Sequence, residues 1–279
     1  MKLRILLIAI ATLLAAPFAL AQNQQGQAWA LARLEGKSPR HQEWVKIPTA
    51  TRPLQNFVVY PEVATKATVV IVIHENMGLS DWARAFADEI AEAGFIAIAP
   101  DLITQKDGMT TADILAGKVT GLTASQANSR LDPDDITADL NAVVEYAKTK
   151  IPAANGKVVV AGFCWGGQQT FRFATNNQVI NAAFSFYGPQ PTDPAAFARI
   201  KAPVYGFYAG NDMRVNSTLD QTKQLMKDAG KTYEPVIYAE GSGHGFMRAG
   251  DPLSPDATAP NKQARDDAWK RLIELLKKI

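Results

Sequence analysis

Thiol and imidazole are scarce in this chain: its 279 residues hold one cysteine and three histidines. A single cysteine excludes an internal disulfide framework. The His74-Glu75 pair lacks the second histidine of an H-E-x-x-H zinc helix, because Gly78 stands in that place. Excess charge is missing as well. Lys2 and Arg4 are the only charged residues among the first 21, and without them the remaining Lys and Arg match the 27 Asp and Glu. That balance gives no footprint for a nucleic acid or an anionic membrane. Repeats, low-complexity blocks and linkers are also absent.

Only one apolar run is long, Ile5 to Leu20, and it follows Lys2 and Arg4. It contains Pro17, lacks a basic stop-transfer flank and ends in Ala19-Leu20-Ala21, so it reads as a signal peptide over residues 1–21 rather than an anchor. No cysteine lies near the cleavage site, which excludes a lipoprotein anchor. The expected location is secreted or periplasmic, with no membrane contact after cleavage. Residues 22–53 form an N-terminal extension that packs loosely or serves as an edge, and 54–279 form one domain.

Within that domain, apolar β-branched runs alternate with helical patterns. Strands are expected at 57–60, 67–73, 95–99, 157–161, 182–186, 204–208 and 235–238. Helices are expected over 81–93, 132–150, 165–175, 216–229 and 262–278, with a short one near 112–115 inside the polar stretch 103–131. Alternation of this kind predicts a doubly wound, mainly parallel α/β sheet with helices on both faces. Function in such sheets gathers at the carboxyl ends of the strands.

The lone cysteine stands at such an end. Gly162-Phe163-Cys164-Trp165-Gly166-Gly167 follows the run 157–161 and opens a helical pattern, the layout of a strand–nucleophile–helix elbow. Free cysteine by itself more often packs as a small hydrophobe. The preceding strand and the glycines on either side favour a nucleophile. Beyond 204–208 lies Asp212, and beyond 235–238 lies His244 in the loop Gly241-Ser242-Gly243-His244-Gly245. Nucleophile, acid and base then follow in the chain order of an α/β-hydrolase. His244 would take the thiol proton, Asp212 would fix its tautomer, and the thiolate would attack an acyl carbonyl. His41, in the extension, and His74, ahead of the nucleophile, compete less well as base. Asp101 and Asp193 compete for the acid role without the strand–turn context of Asp212. The backbones of Asn76 and Trp165 occupy the oxyanion-hole positions, and Glu75 falls near the thiol.

These motifs together resemble the dienelactone hydrolase, or carboxymethylenebutenolidase, family over roughly 54–279. They are His74-Glu75 with Gly78, Ala99-Pro100-Asp101-Leu102, the elbow, Tyr187-Gly188, Gly210-Asn211-Asp212 and His244-Gly245-Phe246-Met247-Arg248. The resemblance implies the α/β-hydrolase fold and a Cys164–Asp212–His244 triad. It also implies that Glu75 exchanges partners between the thiol and Arg248, and that Arg248 binds a substrate carboxylate. The sequence departs from the family at Gln105, where a second arginine is usual, and in its signal peptide, its extension and the composition of 103–131. The expected function is ester or lactone hydrolysis through an acyl-enzyme on Cys164, without cofactor or metal. Carboxylesterase action on neutral esters is the alternative, and a non-catalytic binding protein on the same fold is a more distant one. The expected partner is a small-molecule ester or lactone, and the expected assembly a monomer or small homo-oligomer.

Overall fold

An eight-stranded sheet carries the architecture of the computed structural model, which describes residues 27–34, 36–105, 107–255 and 257–279. The expected signal peptide and Lys106 lie outside the described residues. In chain order the elements begin with helix α1 (Ala28–Leu34), strands β1 (Gln42–Pro48), β2 (Pro53–Val59) and β3 (Ala67–Ile73), helix α2 (Asp81–Glu92) and strand β4 (Ile96–Pro100). Helices α3 (Thr111–Leu115), α4 (Ala124–Ser129) and α5 (Pro133–Thr149) follow, then strand β5 (Ala154–Phe163), helix α6 (Trp165–Asn176) and strand β6 (Ala182–Phe186). The chain continues with helix α7 (Pro194–Ala198), strand β7 (Val204–Tyr208), helices α8 (Met213–Asn216) and α9 (Leu219–Asp228) and strand β8 (Tyr233–Ile237). Helices α10 (Phe246–Ala249) and α11 (Ala259–Leu276) complete it.

The strands lie in the order β1-β2-β4-β3-β5-β6-β7-β8. From β4 to β8 neighbouring strands are parallel, while β1 and β2 run antiparallel at one edge. This is the α/β-hydrolase architecture, and its parallel strands are those expected from the apolar runs. All seven residues of β3 are buried, as a strand covered on both faces requires. Each Val or Ile buried this way contributes about 1.5–3 kcal/mol of transfer free energy.

Two apolar layers cover the sheet. One joins Trp82 and Phe86 of α2 to Phe163, Ala264 and Leu272; the other joins Val143 and Val144 of α5 to Phe171 and Phe197. Local chemistry sets the helix ends. Ser80 accepts the Ala83 N–H to start α2, and Gly94, at φ +96°, follows its end. Asp132 caps α5 ahead of Pro133.

The structure refines the expected pattern at several places, and the extension takes the edge position expected as one of its two alternatives. The N-terminal extension supplies the edge strand β1, and α1 buries Ala30 and Leu34. An ion-pair cluster holds α1 down: Glu89 of α2 pairs with Arg33 at 3.0 Å and with Arg265 of α11 at 2.6 Å. Strand β5 begins three residues earlier than its apolar run, at Ala154. A helix, α4, forms within 103–131, where Thr123 and Gln126 make a capping box. The helix expected over 216–229 begins three residues later, as α9, and Asp212 starts the separate turn α8 ahead of it, where Asn216 Nδ2 donates to Ala209 O.

Candidate active site

Cys164 sits where β5 turns into α6, at φ 56° and ψ −114°. Such a conformation costs a non-glycine residue on the order of 1–3 kcal/mol, and surrounding contacts must impose it. They do so in two ways. The Cys164 N–H donates to Phe186 O at 3.0 Å. A Cβ on Gly162 would collide with Gly166 O, and one on Gly166 with the carbonyl oxygens of Ile73 and His74, each closer than 3.0 Å. Only glycine lets helix and strand approach this far, which is why the sequence signal was specific.

Three other strand ends surround the thiol. After β7, Asp212 is buried, and its Oδ1 also receives the Val215 N–H at 3.4 Å. After β8, His244 reaches it, with Nδ1 2.5 Å from Asp212 Oδ2. The carboxylate accepts, so Nδ1 carries the proton. Among the described residues no hydrogen bond joins Cys164 to His244. After β3, Glu75 is buried and held by Arg248, whose Nε donates to Oε2 at 2.9 Å, and by Tyr187, whose hydroxyl donates to Oε1 at 3.3 Å.

The electrostatics oppose a resting thiolate. Burial first, and then the Glu75 carboxylate, push the Cys164 thiol above its ordinary value. The backbone N–H groups of Trp165 and Asn76 and the charge of Arg214 pull it the other way. The Arg248 guanidinium is raised chiefly by Glu75. Burial and then Glu75 push the Tyr187 phenol well above its usual range.

The structure thus brings together Cys164, Asn76, Trp165, Glu75 and Arg248, and it pairs His244 with Asp212. The other candidates have separate duties. Asp101 binds Thr111 through its N–H at 2.7 Å and its hydroxyl at 2.6 Å, anchoring α3, and burial pushes its carboxyl up to about 6. Asp193 caps α7. His41 is exposed near Glu43. Gln105 turns back on its own loop, donating to Ile103 O at 2.7 Å.

Two residues carry more than the sequence suggested. Tyr187 adopts φ 38°, sets its ring edge-to-face with His244 at 5.1 Å between ring centres and contacts Glu75. Its place directly after β6, beside the nucleophile strand, was the available signal. Arg214, two residues beyond Asp212, is the second cation acting on the thiol. A cavity of about 450 Å³ lies elsewhere, at the end of β4 two strands from Cys164, lined by Trp44, Leu79, Arg84 and Thr110 among others.

No group of three or more His, Cys, Asp or Glu able to hold a metal occurs among the described residues. Nor is any described helix long and apolar enough to cross a membrane.

The model of the dienelactone hydrolase family matches residues 54–279. The chain belongs to that family. It is similar to a protein assigned as a carboxymethylenebutenolidase in Methylorubrum extorquens, 29% identical over 238 residues that cover 82% of this chain and 78% of the relative. Among solved structures, one assigned as a dienelactone hydrolase from Klebsiella pneumoniae has a TM-score of 0.70 at 22% identity, covering 86% of this chain and 99% of that one. A Pyrobaculum calidifontis esterase has a TM-score of 0.64 at 15% identity, covering 97% and 95%. These structural likenesses concern the fold. Membership of the dienelactone hydrolase family makes the protein a hydrolase acting on esters or lactones.

Proposed function

We propose that the protein is an exported cysteine hydrolase that opens an ester or lactone through a thioester on Cys164. The observation that carries this reading is the strained elbow, which faces the thiol toward two backbone donors while a His244–Asp212 pair stands at the neighbouring strand ends. Export is supported by the charged start, apolar core and Ala19-Leu20-Ala21 end of residues 1–21.

The steps follow from the atoms. A thiol whose pKa is raised needs a base, and His244 Nε2 takes the Sγ proton while Asp212 holds Nδ1–H. The thiolate adds to the carbonyl carbon, and the carbonyl electrons move to oxygen, where the N–H groups of Asn76 and Trp165 receive the charge. Collapse breaks the carbon–oxygen bond, and the departing alkoxide takes the proton from His244. In a lactone that alkoxide stays tethered to the acyl group. Water, deprotonated by His244, then attacks the thioester and releases the acid and the Cys164 thiolate.

A small substrate bearing its own carboxylate is favoured by Arg248, which stands beside the thiol on the Glu75 carboxylate. The neutral-ester reading is favoured by Gln105, whose amide is bound to its own loop. The test is turnover of matched carboxylated and neutral aryl esters by wild type, Cys164→Ala and Arg248→Ala. Expected are Cys164-dependent hydrolysis and a selective loss of the carboxylated ester on removing Arg248. Turnover that survives Cys164→Ala refutes the nucleophile; equal turnover of both esters, indifferent to Arg248, refutes carboxylate recognition. A chain that binds ligand but never turns over is the binding protein.

A further inference from the structure

We propose that His74 is a positioning residue that holds both arms of the oxyanion hole, one by a hydrogen bond and the other by a ring stack. The inference rests on the reading of Cys164 as nucleophile, with Asn76 and Trp165 as donors.

His74 follows β3 directly and is fully buried. Its Nδ1 lies 2.6 Å from the carbonyl oxygen of Glu75. A carbonyl can only accept, so Nδ1 carries the proton. That oxygen belongs to the same planar trans peptide as the Asn76 N–H, and in such a peptide the two groups point in opposite directions. Holding the oxygen therefore aims the N–H. The Gly78 N–H reaches the same oxygen at 3.2 Å, so two donors grip the carbonyl while the Asn76 N–H acts on the thiol. Donation to the oxygen also polarises that N–H through the peptide.

The imidazole stacks on the indole of Trp165, with ring centres 5.4 Å apart and planes 11° apart. Trp165 supplies the second donor. The His74 carbonyl also abuts the bare Cα of Gly166, so the backbone at His74 and the start of α6 share one contact. A single residue thus touches the carriers of both N–H groups.

The chemistry of the ring fits this duty. Nε2 is buried without a hydrogen-bond partner among the described residues. An aliphatic side chain would fill the space without leaving that acceptor unpaired, a loss that buried polar groups normally avoid. What it would lack is the Nδ1 donor. Burial keeps the imidazole neutral, pushing it down to about 4, so one tautomer persists across the neutral range.

The test uses His74→Asn, whose amide N–H falls near the Nδ1 position, His74→Gln, whose amide falls farther out, and His74→Leu. Hydrolysis of p-nitrophenyl acetate is normalised to active sites counted from the p-nitrophenol burst, which removes any unfolded fraction. Expected is a fall in kcat of about 10- to 100-fold for Leu and Gln with KM nearly unchanged, and recovery to within about fivefold by Asn. Wild-type kcat per site in Leu and Gln, or an Asn variant as impaired as Leu, overturns the role of His74 alone. Wild type without turnover that Cys164→Ala abolishes overturns both this inference and the reading beneath it. Histidine-labelled wild type gives a check free of variants: nitrogen NMR at pH 7 should show His74 protonated at Nδ1, and an Nε2–H tautomer overturns the proposal.

Discussion

Replacing Gly166 by alanine should damage both the fold and the site beside the thiol. An added Cβ would lie closer than 3.0 Å to the carbonyl oxygens of both Ile73 and His74. Ordinary carbon–heavy-atom contacts sit near 3.5 Å, so α6 must lift from β3 by about 1 Å. Both contacts are backbone and cannot rotate away. The strain belongs at the upper end of overpacking costs, about 3 kcal/mol. For a chain of this size that corresponds to a fall in Tm of roughly 6–12 °C. The same shift moves Trp165 away from Asn76, and a displacement of about 1 Å at a reacting centre can cost about 100-fold in kcat. Gly243→Ala is the control. It adjoins His244, yet its Cβ would meet nothing nearer than Asn261 Oδ1 at 4.0 Å, so Tm and turnover should stay near wild type. Scanning calorimetry and ester hydrolysis on both variants decide the matter. A Gly166→Ala enzyme that melts and turns over like wild type would refute the steric account of the elbow.

Asp212→Asn should leave the fold intact and lower kcat by about 10⁴-fold, because the amide no longer selects the His244 tautomer; near-normal kcat would show that Asp212 is not the orienting acid. Glu75→Gln removes a negative charge that raises the thiol pKa. Iodoacetamide should therefore alkylate Cys164 faster at neutral pH, and an unchanged or slower rate would mean that Glu75 does not act through its charge. His74 has its pKa depressed from 6.5 to about 4 by burial, so between those values the unfolded chain binds the proton and the folded one resists it. Stability from this group is complete above pH 6.5 and falls by about 3 kcal/mol as pH drops toward 4. Urea midpoints of wild type and His74→Asn should converge or cross on acidification, and parallel pH profiles would contradict the buried neutral ring.

The sequence revealed this site unevenly, for physical reasons. The elbow was legible because close approach of two backbones demands glycine at fixed spacing, and Gly162 and Gly166 record that demand directly. Asp212 was legible because it follows the largely buried strand β7, whose apolar run is easy to see, and His244 because a glycine-rich loop sets it off after the half-exposed edge strand β8. Strand β1 was not, since Gln42–Pro48 is a half-exposed edge whose burial alternates only weakly, with Trp44 48% exposed. The break between α8 and α9 escaped because neither proline nor glycine marks it: Ser217 and Thr218 stand there. Tyr187 and His74 matter through a positive φ, a carbonyl contact and a ring stack, none of which has a sequence period. The antiparallel edge changes where the N-terminal segment lies, while the pairs that surround the thiol are those expected from strand ends.

The contacts around Cys164 also say when the thiol becomes reactive. Glu75 meets Arg248 across 173 residues. Such a pairing forms only after nearly the whole chain has been made and collapsed, since a long loop must close first. A nascent or half-folded chain holds a thiol with neither the raised pKa imposed by burial and Glu75 nor a histidine at hand. On the proposed reading of Cys164 as nucleophile, its chemistry is a late product of folding, and ester turnover through it reports completed molecules. A burst assay on refolding protein would time the closure of that long loop, making the enzyme its own clock for the last step of its assembly.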